Sequence, residues 1–270
     1  MTAFLQHFTF EFETGLRNST QLLMNYLFPL AFYAMMGLVM TQVNPLFTAT
    51  MIPAMAVFVM MVSTLLGLPG PLVEAREAGV YRSFKINGVP ATAILSIPAF
   101  STIFHVLIVI TLITLTAAPF FSGVLPEYWG GFVLVTLVSV LAFGALGMLI
   151  GVISGGARST VLWAQMIFLP SMLLGGLMMP LDVLPASVRA VAGLLPAAQA
   201  MQAYLGLAYG QATAINPWNA VAVLATGGVL AFGLAIYLFN WDSHNDVRRG
   251  HPLLALLALI PYAIGAFLMH

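Results

Sequence analysis

Pro69-Gly-Pro-Leu-Val-Glu74-Ala-Arg76-Glu77-Ala-Gly79-Val-Tyr81-Arg82-Ser-Phe-Lys85-Ile-Asn87-Gly88-Val-Pro90 separates two long apolar runs. It holds five of the chain's sixteen Asp, Glu, Lys and Arg residues: Glu74, Arg76, Glu77, Arg82 and Lys85. Helix punctuation marks both ends. Pro71 suits a first helical position, and Asn87-Gly88 followed by Pro90 is a stop. Acids near the start and bases near the end complement a helix dipole. Gly79 weakens a continuous helix, so the stretch reads either as one helix or as two short pieces meeting there. A short, polar, capped helix between membrane spans is poorly suited to lipid and well suited to a soluble partner.

The surrounding composition explains why spans are expected. The chain has 270 residues, 61% hydrophobic and 6% charged, with mean hydropathy +1.03. A soluble domain carries roughly 25% charged residues. Repeated apolar runs of 17 or more residues make an all-α integral membrane protein rather than a β-barrel. A net charge of zero argues against a nucleic-acid partner. The absence of cysteine excludes disulfides and thiolate metal sites. Residues Met1 to Arg17 lack the basic start and cleavage site of a signal peptide.

Outward from the polar stretch, residues 1–19 read as a cytoplasmic interfacial helix. Phe4, Phe8, Phe10 and Phe12 recur partly at helical spacing among Glu11, Glu13 and Arg17. A six-span domain follows over 20–240, with spans near 21–40, 46–68, 91–118, 132–153, 161–179 and 218–239. Gly147 and Gly151 form a GxxxG pair in the fourth span, the pattern of close helix packing. Residues 180–217 carry Pro180, Pro185, Pro196 and Pro217 around two segments, 186–194 and 198–209. Each is too short to cross and too apolar for a solvated loop, so an external re-entrant pair is expected. Residues 241–270 contain a polar hinge with Asp242, Asp246, Arg248 and Arg249, then an apolar run of 17 residues, Leu253 to Met269, marginal as a seventh span. With the N-terminus cytoplasmic, Arg17, Arg76, Arg82, Lys85, Arg158, Arg248 and Arg249 fall inside and only Arg189 outside, seven of the eight basic residues.

The chemistry is sparse. The chain has no phosphate-binding glycine loop, no catalytic constellation and no metal-ligand spacing among His7, His105, His244, His251 and His270. His105 is the one ionisable side chain deep in an expected span. It reads as a neutral histidine bonded to a neighbouring helix, with a proton relay or substrate contact as the sharper alternative. Carriers that run on ion gradients place charges or broken helices at mid-membrane. Little of either is present, so the driving force is expected from outside the bilayer. Met51, Met55, Met60, Met61, Met166 and Met172 offer an adaptable lining for apolar cargo, or ordinary packing.

Two stretches carry a family resemblance. Glu74-Ala-Arg76-Glu77-Ala-Gly79-Val-Tyr81-Arg82 resembles the coupling segment of type-2 ATP-binding-cassette exporter permeases, small drug- and lipid-exporting ones in particular. Pro170-Ser-Met-Leu-Leu-Gly175-Gly176-Leu-Met-Met-Pro180-Leu-Asp182-Val-Leu-Pro185, followed by Pro196, is similar to that family's signature after the fifth span. With the span layout, the resemblance covers about residues 1–240. It implies a non-enzymatic permease working as a homodimer or heterodimer, with two copies of a soluble ATPase subunit that binds the ATP and Mg. The coupling residues would be Glu74, Arg76, Glu77, Gly79, Tyr81 and Arg82. Glu74, Glu77 and Arg82 would hold the segment to the interface helix and the partner. The cargo path would run past spans two and five, with Met55, Phe58, Phe168 and Met172 as its lining, and Gly175, Gly176, Pro180, Asp182, Pro185 and Pro196 would shape the re-entrant region. It implies export of an amphiphile (a drug-like compound, a lipid-linked saccharide or a small peptide) across a prokaryotic inner membrane, amid its lipids. A rival reading is a carrier or channel that needs no ATP; a lipid-acting membrane enzyme lacks the necessary acid cluster or Ser/His pair.

Overall fold

Thr2–Arg17 forms helix α1, and the next turn is capped by Asn18, whose Oδ1 accepts from the amides of Thr20 and Gln21 at 2.9 and 3.1 Å. The structure, a computed structural model, describes residues 2–44, 46–242 and 250–267, with side chains from Phe8 onward. Phe4, His7, Asp246, Arg248, Arg249, His244, His270 and Met269 therefore lie outside the described side chains. After α1 come α2 (Ser19–Val43) and α3 (Phe47–Glu77), then α4 (Val80–Ile86), α5 (Ala91–Phe121), α6 (Trp129–Ile153) and α7 (Ala157–Leu174). Two short helices, α8 (Ala186–Gly193) and α9 (Pro196–Leu207), lead to α10 (Pro217–Leu238). A 3-10 helix, Pro252–Leu259, runs directly into α11 (Ile260–Phe267). No strand occurs among the described residues.

Five of these helices, α2, α3, α5, α6 and α10, are long and apolar enough to cross a membrane. The expected fifth span differs. α7 is 18 residues long and carries Arg158, Ser159 and Gln165, and it ends at Leu174 rather than near 179. Its stop is a glycine pair: Gly176 takes φ +86°, and Gly175 fits where a Cβ would lie 2.2 Å from the Ser171 carbonyl and 2.8 Å from Ala197. The two helices expected between 180 and 217 are present as α8 and α9.

α3 is the centre of the molecule. Its apolar part is almost wholly enclosed, and Met51, Met55, Phe58, Met60, Met61 and Leu65 are each at most 1% exposed. α2, α5, α6, α7 and α9 pack around it. α6 approaches α3 most closely: a Cβ on Gly147 would sit 2.1 Å from the Thr64 carbonyl, and one on Gly151 would meet Leu72 and Pro69 at 3.1 to 3.3 Å. The GxxxG pair thus seats α6 on α3, as the spacing predicts.

Both α2 and α3 contain one π-helical turn, Leu23–Leu27 and Val62–Gly67. The two turns pack on each other, with buried Asn25 beside Gly67. π-turns are frequent at functional sites because they re-aim a helix without ending it. Here the turn joins the membrane part of α3 to its polar last turns, Pro69–Glu77. The helix therefore begins its polar section at Pro69, two residues ahead of Pro71.

Candidate coupling surface

The polar section divides at Gly79, which adopts φ +74° between α3 and α4. Of the two sequence readings, two pieces meeting at Gly79 is the one observed. Only a residue without Cβ accepts this left-handed turn without strain. The second stop is likewise a turn, with Gly88 at φ +73°.

Arg76, on the last turn of α3, points inward and is 7% exposed. Its Nη1 donates to the Val152 carbonyl at 3.0 Å, and Nη2 donates to the Ser154 carbonyl. Those carbonyls belong to the C-terminal end of α6, where the helix leaves acceptors unsatisfied and its dipole favours a cation. The guanidinium fork supplies both needs at once. Arg76 is thus a clamp between α3 and α6.

α4 is held to the end of α10. Tyr81 is 5% exposed, and its ring lies 5.5 Å from that of Phe239. Burial, only partly offset by Arg76, pushes the Tyr81 hydroxyl well above its ordinary value, so it stays protonated throughout the physiological range. Arg82 meets Asp242 with both arms, Nε to Oδ2 and Nη2 to Oδ1, each at 2.7 Å. The side chains remain 53% and 24% exposed, so the pair contributes more to orientation than to stability.

Glu74, Glu77 and Lys85 are exposed. The Glu77 carboxylate lies at the Gly156 turn, with Oε1 3.2 Å from where a Cβ on Gly156 would be. That is the N-terminus of α7, a favourable position for an anion. The segment thus presents acids and Lys85 outward while Arg76 and Tyr81 turn into the chain. Asp242, Phe239 and the Val152 and Ser154 carbonyls complete the site. The sequence places Asp242 in a polar hinge, but nothing in it links that residue to Arg82.

A cavity of about 220 Å³ lies between α1, the base of α2 and α5, and the polar section Pro69–Ile86, with Glu11, Asn25, Tyr81, Phe84 and His105 among its walls. His105 is 2% exposed. Its Nδ1 is 2.6 Å from the Tyr26 hydroxyl on α2, and its ring stacks on Phe12 of α1 at 4.3 Å. This is the neighbouring-helix bond of the plainer sequence reading.

The residues assigned to a path are spread differently. Met55 and Phe58 are buried in the core of this single chain, and Phe58 stands 6.2 Å, ring to ring, from Phe168, itself 6% exposed. Met172 is half-buried and Met166 exposed. Lining a path would require the helices around Met55 and Phe58 to part. In the 180–217 region, Pro180 and Pro185 precede the 3-10 turn Leu181–Val183 and α8, and Pro196 starts α9. Asp182 is exposed, and its carbonyl and that of Leu184 accept from Arg189 Nη2 at 3.0 and 3.1 Å.

Comparison with known families matches residues 2–209 to the family described as ABC-2 type transporter. No curated protein and no solved structure matches the chain.

Proposed function

The chain belongs to the ABC-2 type transporter family, and we propose that it is driven by separate ATPase subunits that push on Pro69–Ile86. The family is the permease component of type-2 ABC transporters, so this is a multi-pass membrane component and not itself the ATPase. The family implies an ATPase partner. Beyond that, we read the transporter as an exporter of an amphiphile, resident in a prokaryotic inner membrane with α1 and the coupling segment cytoplasmic. Two permease chains would pair, and ATP and Mg would sit on the two ATPase subunits.

One observation carries the mechanism: the coupling segment is clamped to its own chain on one side and charged on the other. Arg76 ties it to α6, while Tyr81 and the Arg82–Asp242 pair tie it to the end of α10. A push from below then reaches two spans directly and α3 itself through the π-turn Val62–Gly67. Motion in α3 bears on the Phe58–Phe168 contact, so Met55, Phe58, Phe168 and Met172 become path-lining as the surrounding helices separate. Ligand-driven movement of this kind needs two packings of similar free energy, and an irregular turn inside a packed helix provides a place for the change.

Glu77→Lys tests the outward face. The reversal is expected to abolish cargo-stimulated ATP turnover in the reconstituted transporter while membrane insertion and monodisperse elution stay normal. Glu77→Gln separates loss of the charge from its reversal: it should retain substantial turnover. Wild-type turnover in Glu77→Lys would overturn the assignment of this face to the ATPase.

A further inference from the structure

We propose that Gly250–Phe267 crosses the membrane as a further span beside α10, with its first half wound as a 3-10 helix. This rests on the multi-pass reading and not on the identity of the cargo or of the ATPase.

Three contacts in matched order set the path. Gly250 lies against Leu238 and Tyr237, where a Cβ would meet them at 3.1 and 3.2 Å. Tyr262 lies across Gly227, whose Cβ would stand 2.6 Å from the ring, and a Cβ on Gly265 would meet Val223 at 3.0 Å. Rising residue numbers in one segment therefore pair with falling numbers in α10, so the two run antiparallel. The 15 residue steps of α10 from Leu238 back to Val223 rise about 22 Å.

The interval starts at the coupling end of α10 and reaches within about two turns of Pro217, where α10 begins. Gly250 and Pro252 share a small cleft with Arg76, Ser154 and Asn240, at the coupling end. α11 packs on α8 and α9, and a Cβ on Gly265 would also meet Gln199 of α9 at 2.8 Å. The opposite end of the molecule is marked by the Ala208 carbonyl after α9, which accepts from the amides of Glu127 and Tyr128 at 2.9 Å, and by Gly206 against Pro217.

Helix geometry narrows the length shortfall. As an α-helix, 16 residues reach about 24 Å. Eight in 3-10 form at about 2.0 Å each and eight in α form give about 28 Å, near the roughly 30 Å of a hydrocarbon core. The sequence accounts for the switch. His251 caps the start by accepting from the Leu253 amide at 3.2 Å. Pro261, which cannot donate to a preceding carbonyl, sits at the junction where α11 begins. The segment thus straps the coupling end to α8 and α9.

Cysteine accessibility provides the test, since the chain contains no native cysteine. Phe267→Cys, at a position 81% exposed, is labelled with a membrane-impermeant maleimide in vesicles of both orientations. Ser83→Cys marks the coupling end and Gln211→Cys the other. Phe267→Cys is expected to label from the Gln211→Cys side only. Labelling from the Ser83→Cys side, or protection on both sides, overturns the crossing. If the two markers label from one side, the span layout beneath the permease reading fails with it.

Discussion

Arg76→Ala is expected to be the most damaging single change in the coupling segment. The substitution removes two charge-assisted hydrogen bonds and strands the Val152 and Ser154 carbonyls in a buried place. At about 1.5–3 kcal/mol for each bond to a charged group, the loss is about 3–6 kcal/mol. With roughly 2–4 °C per kcal/mol for a chain of this size class, melting in detergent should fall by about 10 °C. Arg76→Lys keeps the charge but not the fork and should recover only part of the loss. The functional consequence separates clamp from contact: membranes carrying Arg76→Lys should retain ATPase binding while cargo export falls. Equal melting of wild type and Arg76→Ala would show that the clamp contributes nothing.

Gly147→Ala is expected to cost nearly as much, for a steric reason. Its added methyl would sit 2.1 Å from the Thr64 carbonyl and 2.9 Å from the Thr64 carbonyl carbon. Both are backbone atoms, so no side-chain rotation relieves the clash, and α6 has to move off α3 by more than 1 Å. Overpacking typically costs about 1–3 kcal/mol, and a clash with backbone belongs at the upper end. Gly233→Ala is the matched control, because nothing lies within 4 Å of a Cβ there. The control should melt at or slightly above the wild-type temperature, while Gly147→Ala melts roughly 5–10 °C lower.

These two residues also show where sequence reading works. Gly147 and Gly151 announce a close helix contact by spacing alone, and the structure supplies the partner, α3. The stop at Gly88 is displayed by the sequence directly, whereas at Gly79 the sequence leaves one helix or two open and the φ of +74° decides for two. Arg76 is the opposite case. Among Glu74, Glu77 and Arg82 it looks like one more solvated charge, because no local pattern records that the end of α6 lies against that turn. Arg82 with Asp242 fails for the same reason: the two residues are distant in sequence and meet only through the packing of α4 on α10. The π-turns leave no mark of their own in an apolar run. Met55 looks like a lining residue by type and Phe58 is placed on the path by the family resemblance, yet both lie in a core created by five neighbouring helices. The final apolar run reads as marginal when every residue is given an α-helical rise, and the 3-10 winding of Pro252–Leu259 lengthens it.

The account turns on whether Pro69–Ile86 is the seat of an ATPase. The direct measurement is affinity purification of this chain from its native membrane in mild detergent, with the wild-type segment and with Glu74 and Glu77 both reversed to lysine. The account predicts that a subunit with a phosphate-binding glycine loop copurifies with wild type and is lost from the reversed variant, both chains eluting as folded protein. Recovery of that ATPase in equal amount from both, or from neither, would contradict it.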